Sequence, residues 1–68
     1  MGQAYQERVL METKDLREKI DKLNAFVVRP DERFVALPEE EKGRLRTQMY
    51  IMRSYHAILA ARIAAFKE

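Results

Sequence analysis

Apolar residues recur along the first half of the chain as Val9, Leu16, Ile20, Leu23 and Val27, separated by seven, four, three and four positions. That rhythm is one face of a helix. Tyr5 extends the face by a turn, and Thr13 interrupts it. No Pro falls in this stretch and its only Gly is Gly2, so the pattern predicts one helix over about residues 4–28. The opposite face carries Asp15 with Lys19, Glu18 with Lys22, and Arg17 with Asp21. Each such i,i+4 pair contributes about 0.2–0.5 kcal/mol, and the run reads as a solvated, self-compensated surface.

The periodicity breaks over residues 29–37. Arg29 precedes Pro30, which disfavours the helical conformation and ends the first helix. Phe34 and Leu37 are expected to fold back and cap the open end of the helix pair, with a single helical turn at Asp31–Phe34. A second helix is predicted over about residues 38–66. Pro38 suits its first position, and Glu39, Glu40 and Glu41 face the positive end of its dipole. Gly43 is a weak point, costing about 1 kcal/mol against Ala. Beyond it the apolar stripe runs Leu45, Met49, Met52, His56, Leu59, Ile63 and Phe66, alternating four and three as in a heptad seam. A flanking row runs Gln48, Ile51, Tyr55, Ile58 and Arg62.

The expected architecture is therefore all-α, an antiparallel two-helix hairpin in one domain spanning 1–68. One helix can cover only one face of the other, so the second helix has apolar surface left over. A 68-residue chain buries a marginal core, and with no Cys it has no disulfide to reinforce it. Self-association remains. The chain is expected to form a symmetric homo-oligomer, dimer to hexamer, through Leu45, Met49, Ile51, Met52, Tyr55, Ile58, Leu59 and Ile63. Ala57, Ala60, Ala61, Ala64 and Ala65 would let helices approach closely.

Charge changes the picture by its placement. The net charge is +2, and residues 1–28 balance five acids against five bases. From Lys42 onward there are six bases and one acid, Glu68. This excess suits a phosphate-bearing ligand but is too dilute for a DNA or RNA polymer. No apolar run is long enough to span a membrane. Gly2 resembles a myristoylation site, but Gln6 stands where Ser or Thr is preferred, so no lipid anchor is expected.

No catalytic constellation is present. Ser54 and His56 point to different faces of a helix, and there is neither an HExxH nor a glycine-rich phosphate loop. With one His and no Cys, no metal or other cofactor is expected. Met49 and Met52 read as adaptable core. His56 has two readings, a packed histidine in the seam or a donor to a ligand. Arg46 and Arg53 lie seven residues apart on one face with Tyr50 between them. Cations interleaved with aromatic rings suit nucleotide phosphates and bases, although arginines on a helix can equally be simply solvated.

The stretches YQERV (5–9), LREKIDKLNAFV (16–27) and FVALPEEEKGRLRTQMYIMRSYHAILAARI (34–63) carry a resemblance. They resemble small proteins of crAss-like and other tailed phages, in which a charged helix ending K-L-x-A-F is followed by F-x-x-L and then Q-x-x-x-M-x-x-Y-x-x-x-L-x-x-R-I. In this chain the last run is Gln48, Met52, Tyr55, Leu59, Arg62 and Ile63. More loosely, the chain is similar to the hairpin domain of phage anti-CBASS and anti-Thoeris sponges. Those oligomers hold cyclic di- or trinucleotides, or cyclic ADP-ribose variants, between subunits and do no chemistry on them. They also have an N-terminal segment bearing ligand residues that this chain does not match.

The resemblance implies a non-enzymatic anti-defence protein of the bacterial host cytoplasm that sequesters a cyclic oligonucleotide at subunit interfaces. Arg46 and Arg53 would then pair with phosphates, Tyr5 and Tyr50 stack on bases, and Arg8 or His56 add a donor. The rival reading is a protein–protein module that inhibits a host or phage protein through the apolar face of the second helix.

Overall fold

Three helices follow one another in the computed structural model, which describes residues 4–29 and 31–66. They are α1 (Ala4–Val28), α2 (Glu32–Val35) and α3 (Glu39–Ala64). Gly2 and Pro30, on which the lipidation and helix-ending expectations rest, lie outside the described residues. The two long helices pack against each other along their length. They run antiparallel, with the Tyr5 ring edge-on to Phe66 at one end and Asn24 bonded to Arg53 toward the other. The chain is a rod of 50 × 15 × 15 Å with a radius of gyration of 15.3 Å. A compact globule of this length would have about 11 Å.

The α1 stripe is buried where the 3.6-residue period placed it. Val9, Leu16 and Ile20 close on Leu59, which is 0% exposed, and Met52, Ile63 and Phe66 pack around this cluster. Thr13 breaks the stripe without leaving an orphan, because its hydroxyl donates to the Val9 carbonyl at 2.7 Å. On α3 the two rows separate cleanly. Every seam residue from Leu45 to Phe66 is buried or half-buried, and every flank residue from Gln48 to Arg62 is exposed.

At the connection, Phe34 is buried and meets Phe26 edge-on at 5.3 Å. Lys42 and Arg46 each reach over the Phe34 ring at 5.8 Å. The expected helical turn is present one residue later than the sequence suggested. Asp31 caps it: one carboxylate oxygen accepts from the Arg33 and Phe34 amides at 2.9 and 3.3 Å, the other from the Arg33 guanidinium at 3.1 and 2.8 Å. These contacts, the Arg33 side chain foremost, hold the Asp31 carboxyl below the usual carboxylate range.

Pro38 is the cap of α3 and not its first residue; its carbonyl accepts from the Lys42 amide at 3.0 Å. A Pro with extended ψ can occupy a cap as readily as the first turn, and helix ends are uncertain from sequence by a residue or two. The acidic start of α3 is also tied to bases one turn on, Glu39 to Lys42 at 3.1 Å and Glu41 to Arg44 at 2.8 Å. Of the three ion pairs expected on α1, Arg17–Asp21 is closed at 3.3 Å, with no ion pair recorded at the other two. Exposed pairs of this kind contribute little, and side-chain entropy keeps many of them open.

Candidate functional site

Four of the six candidate ligand residues lie within three turns of α3. Arg46, Tyr50 and Arg53 share one side of the helix, the side turned away from the exposed Ile51–Ile58 flank. Tyr50 is 72% exposed, so its ring face is open to a stacking partner. Arg53 lies at the α1–α3 groove and donates to Asn24 at 2.7 Å. His56 is half-buried one turn further on, beside Arg53.

The groove here forms an open cleft of about 300 Å³, lined by Arg53, His56 and Ala57 from α3 and by Arg17, Asp21 and Asn24 from α1, with Ile20 at its base. Among the described residues the His56 ring has no hydrogen-bond partner, and no buried side-chain nitrogen or oxygen lacks one. Its ring nitrogens therefore reach solvent in the cleft. His56 is thus half-buried in the seam and also lines the cleft. Asp21 lines the cleft as well, 3.3 Å from Arg17, so one carboxylate sits beside the two guanidinium groups, and the Arg53 guanidinium is bonded to Asn24 and not to Asp21. Such a surface can accept an anion with planar groups attached: guanidinium donors for phosphate, an imidazole donor, and an aromatic plane one turn away.

The other candidates are elsewhere. Arg46 sits at the connection end, over the Phe34 ring. Tyr5 packs on Phe66 at the opposite end of the rod, about 24 Å along α3 from Tyr50. Arg8 lines a separate cleft of about 390 Å³ with Met11, Glu12, Asp15, Lys19 and Tyr55. Within one chain Tyr5 and Arg8 do not join the Arg53–His56 cleft. The residues named for the oligomer interface also divide: Leu59 is fully buried inside the hairpin, with Met52 and Ile63 packed on it, whereas Ile51, Tyr55 and Ile58 are exposed.

The sequence pattern that defines the Sequestin family matches residues 3–65, nearly the whole chain. The chain belongs to the Sequestin family. No curated protein and no solved structure matches it. In this Sequestin chain the matched region takes in both long helices and the connection, so the cleft is built entirely from family-matched segments. No helix among its described residues is long and apolar enough to cross a membrane.

Three polar residues of the Sequestin cleft, Arg17, Asp21 and Asn24, escaped the reading of the sequence. All sit on the α1 face adjoining the stripe, where Arg17 and Asp21 read as an ion pair and Asn24 as an ordinary polar position. Their placement opposite Arg53 and His56 depends on the register between α1 and α3.

Proposed function

We propose that this Sequestin chain is a phage immune-evasion protein that binds a cyclic di- or trinucleotide signal, or a related nucleotide, and sequesters it without chemistry. The family's name supports the sequestering half of this reading. The observation that carries the ligand half is the cleft lined by Arg53, His56, Arg17 and Asn24 around Asp21, with the exposed Tyr50 one helical turn before Arg53 on α3. Arg53 and Arg17 would take phosphate oxygens, His56 a phosphate or base edge, and Tyr50 a base face. The cleft is open and shallow for a whole cyclic dinucleotide. A further copy of the chain closing over the ligand would complete the enclosure, and could bring Arg8 or Tyr5 to it from another subunit.

Isothermal titration and native mass spectrometry with a panel of cyclic oligonucleotides test this. The expected result is binding at integral stoichiometry, with the ligand recovered chemically unchanged by chromatography. Arg53→Ala and Tyr50→Ala should each raise Kd about tenfold or more, which is about 1.4 kcal/mol. Unchanged affinity in both variants would place the ligand elsewhere, and no uptake of any nucleotide would end the sequestration reading.

A further inference from the structure

The ligand cleft leaves the exposed flank of α3 unused. Ile51, Tyr55 and Ile58 are 59%, 43% and 59% exposed and form a continuous row. By helix geometry the row lies about 80° around α3 from Leu59, hence beside α1 but not covered by it. The row continues at both ends in charge, Arg62 beyond Ile58 and Glu40 below Arg44. Neither Arg62 nor Glu40 has an ion-pair partner among the described residues, whereas Glu39 and Glu41 on either side of Glu40 are paired.

We propose that this row docks on the same row of a second copy, α3 against α3 and antiparallel, with Ile51 on the twofold axis. Three observations choose this occupant. First, α3 (Glu39–Ala64) has its midpoint between Ile51 and Met52, so a dyad there overlaps the two helices over their full length. Second, that register sets position 62 of each copy opposite position 40 of the other. Arg62 then meets Glu40 twice, by symmetry, at the two ends of the contact. Third, the row is self-complementary in shape. Its N-terminal half carries a shallow depression of about 570 Å³ bordered by Gly43, Arg44, Thr47, Gln48, Ile51 and Met52. Its C-terminal half carries Ile58, 59% exposed, and Tyr55, 43% exposed and leaning toward α1. The dyad places Tyr55 opposite position 47 and Ile58 opposite position 44, over that depression, where the Arg44 stem offers methylenes. The contact leaves the Arg53–His56 cleft on the far side of α3, so both copies keep it open.

The test needs no nucleotide, so it stands or falls separately from the sequestration reading. Sedimentation and light scattering of the full chain should give an even multiple of the 8.1 kDa chain mass. Ile51→Lys sets two lysines against each other on the axis and should lower that mass about twofold or more, with the helical circular dichroism spectrum retained because residue 51 is exposed. Arg62→Glu and Glu40→Arg should each weaken association, and the double variant should restore it. A monomeric wild-type chain, an Ile51→Lys chain that associates normally, or a double variant no tighter than the singles would overturn the proposal.

Discussion

The Arg53 guanidinium donates to the Asn24 side-chain oxygen at 2.7 Å, joining α3 to α1 across 29 residues of sequence. The bond steadies a long, rotatable side chain at the edge of the cleft while leaving most of its N–H donors uncommitted. A positioned guanidinium loses less entropy on binding an anion than a free one.

If Asn24 positions Arg53, Asn24→Ala should weaken nucleotide binding, by a smaller factor than Arg53→Ala. Calorimetric titration of the two variants gives the ratio. The bond is exposed, so neither variant should shift the thermal midpoint appreciably; equal and large losses of stability in both would make the pair structural instead.

Leu59 is where the two stripes meet, and among the described residues it is the one large side chain wholly shut from solvent. Leu59→Ala should cost about 2–5 kcal/mol, a large share of what so small a core supplies. Urea titration followed by circular dichroism should show the midpoint collapse, and the loss should be greatest in dilute protein if self-association supports the fold.

Gly43 lies inside α3 with nothing within 4 Å of the place a Cβ would occupy. Within the single chain Gly43→Ala should therefore contribute about 0.8–1 kcal/mol of stability through helix propensity. Thermal unfolding measures it. A destabilised variant would mean that something in the assembled protein comes close to Gly43, such as the rim of a docked second copy.

Asp31 ties the α2 turn to Arg33 and Phe34, and its carboxyl is held below the usual range, chiefly by the Arg33 guanidinium. A lowered folded pKa means that the contribution is fully present above the ordinary Asp value of about 4 and is lost as pH falls through the folded value. Asp31→Asn should remove that part of the acid sensitivity. Stability curves of wild type and variant should differ above about pH 4 and converge in stronger acid.

Much of the fold was written in local spacing. The 3.6-residue period located α1 and α3 to within a few residues, put Val9, Leu16 and Ile20 on one face of α1, and resolved α3 into a seam and a flanking row. These are properties of a single helix, and a single helix is a function of neighbouring residues alone. The same reasoning put Arg46, Tyr50 and Arg53 on one side of α3. What spacing could not reach was anything between elements. That Leu59, Met52 and Ile63, expected at an oligomer interface, turn into the hairpin was decided by the packing. Whether Arg53 faces Asn24 or a solvent-filled groove depends on how far α3 slides along α1, and that register is set by the packing of Leu59 among Val9, Leu16 and Ile20. Phe34, folded back onto Phe26 beneath Lys42 and Arg46, was expected to cap the helix pair; which cations covered it was decided only when the connection closed. The separation of Tyr5 and Arg8 from the cleft follows from the same antiparallel register: side chains that sequence reasoning could assign to one ligand are held apart by the length of a rigid helix. The sequence by itself determined which faces are apolar and which are charged. Only the tertiary structure decided which of those faces meet, because that choice belongs to the packing of two helices and not to either one.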